Sequence, residues 1–353
     1  TYDATDKTLI LDVIQKHEPT DEIPAIFVLP MTVDLYDENG TLSTYNVTVN
    51  NRNQSLALEN VTSAPSAVVM DGTASTLMTI DHAKTEVELM AQAKYATKFL
   101  HVYSAVNNLK EDASFAILQD EMLAYPHYSI RAKAIKEMDV TKVGASDILI
   151  KLATNDEHSK VRAAALNALV NVEGTDLNLL VSKIMKTEQA YPVLGKAVGA
   201  LYDSNPEKAL EYTKILAKED TEMLVGSIAD IYGKTGDAQY LPFFEDKLET
   251  VGLYSMFDFY GKYYSMLSTQ DVPAMQKAAE KLGSIAGNLS TNMYRKFVSM
   301  NTLNRIKGAM TEKQNEMPND TNISTALAKI KTIMDDIKSR ETNKMLVDRY
   351  KGF

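Results

Sequence analysis

The chain has 353 residues, 45% of them hydrophobic and 24% charged, a composition typical of a globular protein with about two domains. Its net charge of −10 argues against nucleic acid as a partner, and no run approaches the roughly 20 apolar residues that a membrane-spanning helix needs. Because the chain has no cysteine, disulfides, thiolate metal ligands and cysteine nucleophiles are excluded.

The first residues, Thr1-Tyr2-Asp3, include neither an initiator methionine nor the basic and apolar segments of a targeting signal. We therefore expect the chain to be part of a longer protein, with any targeting signal further upstream. The compartment, cytoplasmic or exported, stays open, because a cysteine-free chain suits both reducing and oxidising environments.

Residues 1–81 carry the period-two alternation that is typical of β-strands. The alternation covers residues 8–13, 25–36, 41–50, 55–58, 67–71 and 76–80. Within "PAIFVLPMTVDLYDENGTLSTYNVTVN" (24–50), the dipeptide Asn39-Gly40 indicates a tight hairpin turn. Pro24 and Pro30 lack a backbone N–H and indicate strand starts, bulges or an edge. Short strands at this spacing predict a small all-β sandwich domain over residues 1–81.

After residue 81 the apolar residues recur at three- and four-residue steps, as in amphipathic helices. The first helix is expected to begin with Asp81 as its N-cap in the segment 81–109. Helices with short connectors should follow, and residues 319–353 should close the end of the array. We predict that residues 82–353 form an α-helical superhelix of the HEAT or armadillo type.

Two segments of this helical part resemble each other at a register of 31 residues. "YPHYSIRAKAIKEM" (125–138) aligns with "DEHSKVRAAALNAL" (156–169), which places Arg131 over Arg162. Asp156 precedes Arg162 by six positions and could be its partner. These arginines could form a binding surface, but a contact that stabilises the repeat is the interpretation that we favour.

The sequence contains no recognisable catalytic, cofactor-binding or metal-ligating motif. Its five histidines include no pair four residues apart, and no G-x-S-x-G, G-x-G-x-x-G or phosphate loop occurs. The acidic pairs Glu86/Glu88, Glu219-Asp220 and Asp335-Asp336 are expected to be solvated helix surface. A hydrolase built on such clusters is a remote alternative.

The stretch "LYSMFDFYGKYYSM" (253–266) is rich in aromatic residues and methionine. Such side chains could line a cavity that accepts peptides, because they are flexible or amphipathic. The candidate lining residues are Tyr254, Phe257, Tyr260, Tyr263 and Tyr264. Packing between helices is the alternative that we favour for this stretch.

The first 105 or so residues resemble the region that follows the catalytic domain in zinc aminopeptidases related to aminopeptidase N. They are also similar to the related non-enzymatic subunit of the transcription factor TFIID. The matching positions, in strands, a strand end and a helix, are Gln15, Phe27, Pro30, Val33, Asp71, Gln92 and Ala96. Ala64 and His101 depart from the family, which often has lysine and arginine there. The rest of the chain matches only as a HEAT-like helical array.

The resemblance implies an architecture in which a β-sandwich separates a zinc domain from a helical domain that caps the active site and limits peptide access. Zinc and its His-Glu-x-x-His motif would lie in an upstream catalytic domain of the same chain. The expected partners are that domain and the peptide substrates of the parent enzyme, and this chain should bind no zinc. The alternative is a β-sandwich and HEAT-repeat scaffold that binds protein partners and has no peptidase role.

Overall fold

The computed structural model describes residues 1–219 and 221–353, in which a small β part is followed by helices. The strands are β1 (Tyr2–Asp3), β2 (Thr8–Ile14), β3 (Leu29–Tyr36), β4 (Leu42–Val49), β5 (Asn53–Leu58) and β6 (Ala67–Met70). By compactness the chain divides into two units, Thr1–Leu152 and Ala153–Phe353. The predicted domain boundary after residue 81 lies where strands give way to helices. That this position separates two domains stays a prediction.

The helices follow one another with short connections. They are α1 (Glu86–Tyr95), α2 (Phe99–Asn108), α3 (Asp112–Leu123), α4 (Tyr128–Lys136), α5 (Ala145–Asn155), α6 (Ser159–Leu169), α7 (Leu177–Thr187), α8 (Tyr191–Tyr202), α9 (Pro206–Leu216), α10 (Glu222–Thr235), α11 (Leu241–Lys247), α12 (Met256–Ser268), α13 (Val272–Gly287), α14 (Met293–Glu316), α15 (Thr321–Arg340) and α16 (Lys344–Tyr350). Short 3₁₀ turns, Ala217–Glu219 and Ala238–Tyr240, follow α9 and precede α11.

The strands form two antiparallel sheets, ordered β1-β2-β5 and β4-β3-β6. Leu9 of β2 and Leu58 of β5 are paired in one sheet, and both pack in a core with Val33 and Leu35 of β3. Since these side chains come from the inner faces of both sheets, the β part is a sandwich, as the alternation predicted.

The turn between β3 and β4 shows why glycine is needed at one position. The Asp37 carboxylate accepts hydrogen bonds from the N–H groups of Asn39 and Thr41, both at 2.8 Å. Gly40 has a φ of +80°, and a Cβ atom there would lie 2.4 Å from the Tyr95 ring. Any other residue would therefore meet both backbone strain and a clash with α1.

Two parts of the strand prediction are wrong. In both, a side chain forms hydrogen bonds with backbone groups that a sheet would need. Residues 76–80 form no strand, because the N–H groups of Ser75 and Thr76 bond to the Asp71 carboxylate. Residues 25–28 precede β3, and the N–H and C=O of Phe27 bond to the Gln15 amide.

Pro30 lies within β3, which is the central strand of its sheet. It pairs with Thr48 of β4 on one side. On the other side, β6 pairs only with Val33 to Tyr36 of β3. Pro30 therefore occupies an edge-like position, where the missing N–H of proline costs no ladder bond.

The helix that was expected to have Asp81 as its N-cap starts four residues later. Thr85 is the N-cap of α1, and its hydroxyl and the Glu88 carboxylate form a reciprocal capping box. Asp81 instead forms an ion pair with Lys16, with 2.7 Å between Oδ2 and Nζ. The capping box overrides the weaker signal of Asp81 because it satisfies two N–H groups at once.

In the second unit, helices two places apart in the chain run parallel to each other. Ser255 before α12 donates to Glu222 at the start of α10 at 3.0 Å, and Thr269 after α12 donates to Gly236 after α10 at 3.2 Å. Lys281 of α13 pairs in the same way with Glu249 after α11, at 2.6 Å. Alternate helices therefore form two layers of a repeating array.

The C-terminal helices close this array as the spacing predicted. The apolar residues of α15 that were expected to pack, Ile323, Leu327, Ile330, Met334 and Ile337, are all buried. Within the described residues, no helix is both long enough and apolar enough to cross a bilayer.

Candidate functional site

Four of the residues that carry the family resemblance form hydrogen bonds in a junction with two halves, one inside the sandwich and one between the sandwich and the first helices. Gln15 is buried, and its amide donates to the Phe27 carbonyl at 2.8 Å and accepts from the Phe27 N–H at 2.9 Å. The same amide group lies 3.4 Å from the carbonyl oxygen of Asn51. Gln15 therefore fastens the segment before β3 to the end of β2.

The second half of this junction centres on Asp71 and Gln92, both of which are buried. The Gln92 amide donates to the His101 carbonyl at 2.8 Å, and its oxygen accepts from Lys84. Lys84 also donates to the Val68 carbonyl at 2.6 Å, and the His101 ring contacts the Asp71 carbonyl through Nε2 at 3.1 Å. Strand β6, helix α1 and helix α2 are thus tied together.

We call the set Gln15, Asp71, Lys84, Gln92 and His101 the strand-to-helix junction. Burial lowers the pKa of the Lys84 ammonium to about 8, although the Glu88 carboxylate opposes the shift. His101, a departure from the family pattern, completes the junction through its ring and its backbone carbonyl. Every contact described here joins parts of the chain to each other, which is the pattern of a structural element.

The two repeat arginines make the same local contacts. Arg131 donates to the carbonyls of Tyr125 and Pro126, six and five residues before it, at 2.9 and 2.6 Å. Arg162 donates to the carbonyls of Asp156 and Glu157, also six and five residues before it, at 2.9 and 3.2 Å. Asp156 therefore accepts a hydrogen bond from Arg162 through its backbone carbonyl.

The carboxylate that pairs with Arg162 belongs to Glu188, at the end of α7. The guanidinium donates two bonds of 2.7 and 3.0 Å to Glu188, and both side chains are largely buried. Burial alone would raise the pKa of Glu188, but Arg162 and the N–H groups of Ala190 and Gln189 hold it below its usual range. This pair joins α6 to the connection between α7 and α8.

The five aromatic residues predicted as channel lining lie in three different environments. Tyr260 and Tyr263 are fully buried in the core, where the Tyr260 hydroxyl donates to the Leu248 carbonyl at 2.8 Å. Tyr264 is half-buried, whereas Tyr254 is fully exposed and Phe257 is 50% exposed. Only the last three are placed to meet another molecule.

These accessible rings continue onto the neighbouring helices. The ring centroids of Phe257 and Phe297 are 6.4 Å apart, and the Arg349 guanidinium lies 5.0 Å from the Phe297 centroid. Further along the same two helices, the Arg305 guanidinium lies 3.8 Å from the Tyr264 centroid. We call Tyr254, Phe257, Tyr264, Tyr294, Phe297, Arg305 and Arg349 the α12–α14 face.

Sequence reasoning missed four members of this face: Tyr294, Phe297, Arg305 and Arg349. Phe257 and Tyr264 are seven residues apart, and Phe297 and Arg305 are eight apart, so each pair lies on one side of its helix. This spacing could have placed them on the surface. The pairing of the two helices and the return of α16 are long-range contacts that one sequence does not reveal.

No arrangement typical of catalysis occurs among the described residues. They contain no group of three or more His, Asp and Glu side chains that could hold a metal ion. Of the acidic pairs, Glu88 caps α1, and Glu86 accepts from the N–H groups of Lys110 and Glu111 at 3.2 and 3.1 Å. Asp220, in the second acidic pair, lies outside the described residues.

Comparisons with known proteins give no family assignment. No protein-family model matches the chain, and no curated protein matches it. Among solved structures, it is similar to Legionella pneumophila aminopeptidase A in complex with aspartic acid, at 11% identity and a TM-score of 0.48. That match covers 94% of this chain and 48% of the other, so the chain spans about half the length of the Legionella protein.

A second solved structure, a computationally designed self-assembling cyclic homooligomer, matches at 17% identity and a TM-score of 0.13. The match covers 76% of this chain and 92% of the designed one. At these scores and identities, neither structure supplies a role for any residue of this chain.

Proposed function

We propose that this chain is the non-catalytic C-terminal portion of a zinc aminopeptidase related to aminopeptidase N. In this proposal the β-sandwich is a spacer. The helical part caps the active site of an upstream catalytic domain and controls the access of peptides to it. The partners are then that domain and the peptide substrates of the parent enzyme.

The observation that carries the proposal is the strand-to-helix junction. Three of the positions that match the family pattern, Gln15, Asp71 and Gln92, are buried polar residues, and each is hydrogen-bonded to the chain. Buried polar side chains are costly unless they are paired, so their presence at matching positions supports a shared way of building this region. The order of a β-sandwich followed by a helical array supports the same architecture.

The residues of this chain do not fit the zinc ion that the parent enzyme would use. Catalytic zinc sites need three protein ligands, often from a helix with two histidines four residues apart. The described residues offer no such group. Two histidines are also committed as helix caps, because the His127 and His158 side chains accept from the N–H groups of Ser129 and Lys160. The metal and the general base therefore belong to the upstream domain in this proposal.

The experiment is to sequence the reading frame upstream of Thr1 and to express the longer chain. We expect a His-Glu-x-x-His motif with a more distal Glu, one zinc per chain and turnover of aminoacyl anilides. Removing residues 82–353 from the longer chain should change the peptide lengths that it accepts, because the cap is lost. An upstream sequence without that motif would contradict the proposal.

A scaffold without peptidase activity is the second candidate, and the α12–α14 face is the surface that it would use. Exposed aromatic rings beside arginines suit a protein partner as well as a substrate peptide. A degenerate zinc motif upstream, with no zinc bound by the longer chain, would identify the scaffold.

A further inference from the structure

The two arginines of the α12–α14 face are held against aromatic rings and have no anionic partner within residues 1–219 and 221–353. Arg305 lies over Tyr264 and Arg349 over Phe297, and both arginines are exposed. Among the residues that the structure describes, neither guanidinium forms an ion pair or hydrogen bond with another side chain. Stacking fixes the plane of a guanidinium and leaves its N–H edge available for a carboxylate.

This arrangement contrasts with that of three lysines on the neighbouring helices α12 and α13. Lys262 pairs with Asp230, Lys277 with Glu245 at 3.4 Å, and Lys281 with Glu249 at 2.6 Å. In a chain with a net charge of −10, carboxylates are abundant. Two stacked arginines that lack one are therefore a local positive charge ready for an external anion.

We propose that the α12–α14 face binds an extended acidic peptide segment that carries two Asp or Glu side chains four residues apart, with an apolar residue midway between them. The proposal rests on the proposed function in taking the peptide to be a substrate of the parent enzyme. Arg305 and Arg349 bind the carboxylates, and the apolar side chain packs on the exposed ring of Phe257.

The spacing of the face sets the spacing of the peptide carboxylates. Phe297 and Arg305 are eight residues apart on α14, which is about 12 Å along a helix axis. An extended peptide rises about 3.3 Å per residue and its side chains alternate between two faces, so side chains four residues apart share one face and are separated by about 13 Å. Because there are two cations, two acidic side chains fit better than a single C-terminal carboxylate.

The test measures peptide binding to the chain as it stands, by fluorescence anisotropy at low salt. The probe is fluorescein-Gly-Glu-Thr-Leu-Thr-Glu-Gly-amide, whose amidated end removes the terminal carboxylate. The matched peptide has glutamine in place of both glutamates. We expect the glutamine peptide to bind about tenfold more weakly or worse, since each exposed charged contact contributes up to about 1 kcal/mol.

Substitutions in the protein assign the effect to the face. R305Q and R349Q should each weaken binding of the glutamate peptide about fivefold and leave binding of the glutamine peptide unchanged. R340Q is the matched control, because Arg340 is an exposed arginine of the same unit that pairs with Asp336. It should leave the affinity for both peptides as in the unsubstituted chain.

Three results would overturn the inference: equal affinity for the two peptides, an R340Q effect as large as that of R305Q, or binding that requires a free C-terminal carboxylate. These outcomes do not depend on the zinc domain. If the chain binds the glutamate peptide but the upstream sequence has no zinc motif, the inference of an acidic-peptide face stands and the aminopeptidase proposal fails. If the upstream zinc motif is present but the chain does not prefer the glutamate peptide, the aminopeptidase proposal stands and the inference of an acidic-peptide face fails.

Discussion

The arginines of α4 and α6 and those of the α12–α14 face differ in what their guanidinium groups contact. Arg131 and Arg162 donate to backbone carbonyls of their own chain, and Arg162 also binds Glu188. Arg305 and Arg349 lie over aromatic rings at the surface. The same residue type stabilises the array in one region and leaves a binding group available in the other.

The strand-to-helix junction belongs with the inward-facing arginines. Its side chains bond to strands and helices of the same unit, so the junction positions the segments that it joins. A polar side chain of this protein therefore has a structural role where the chain itself supplies its bonding partner. It is available for recognition where the chain does not.

Replacing Arg162 should have the largest effect on stability. R162M removes the partner of the largely buried Glu188 carboxylate, and leaving a buried charge unpaired costs about 3 to 4 kcal/mol. The measurement is the free energy of unfolding in urea. R305M is the matched control, and a loss for R162M no larger than for R305M would remove the distinction between the two regions.

A substitution in the strand-to-helix junction should lower the free energy of unfolding almost as much as R162M. Q92L keeps the size of the side chain but leaves Lys84 without one acceptor and the His101 carbonyl without its donor. We expect a loss of about 3 kcal/mol in the free energy of unfolding, because one of the two bonds is charged. Q276L, at a glutamine that bonds to Glu280 on the surface, should cost less than about 0.5 kcal/mol.

Lys84 should make stability depend on pH in the alkaline range. Burial lowers its pKa to about 8 in the folded chain, whereas the unfolded chain has an ordinary value of about 10.4. Between these values the unfolded state binds one more proton, so the folded state gains stability as the pH rises.

The measurement compares unfolding of the unsubstituted chain with K84M from pH 7 to 10.5. The free energy of unfolding of the unsubstituted chain should rise relative to that of K84M by about 3 kcal/mol, and the contributions of the other titrating groups cancel. Parallel profiles would show that Lys84 is not desolvated in the folded chain.

Substitutions on the α12–α14 face should have the smallest effect on folding. F257A and R305M remove exposed side chains, so each should change the free energy of unfolding by about 0.5 kcal/mol or less. Thermal unfolding followed by circular dichroism is sufficient to check this. A loss above 2 kcal/mol would identify these residues as structural.

Local patterns predicted most of the fold, because the strands and helices are amphipathic. The alternation around β2 to β6 and the spacing in α15 correspond to buried side chains. The errors at residues 76–80 and at Asp81 have one cause. There a side chain, Asp71 or Glu88, bonds to backbone groups that the pattern assigns to a sheet or an earlier helix.

The candidate site was less accessible to sequence reasoning. The stretch 253–266 indicated aromatic residues, but periodicity alone did not separate the buried Tyr260 from the exposed Phe257. Arg305 and Arg349 were missed because they reach their rings from α14 and α16. Such contacts arise from packing between helices far apart in the chain.

The most direct test of the account is the zinc content and turnover of this chain alone. After dialysis against metal-free buffer and addition of one equivalent of zinc, we expect no stoichiometric binding by atomic spectroscopy and no hydrolysis of aminoacyl anilides. The longer chain with its upstream domain should bind one zinc ion and hydrolyse aminoacyl anilides. One tightly bound zinc per chain in the present protein, with turnover, would contradict the claim that it is the non-catalytic portion.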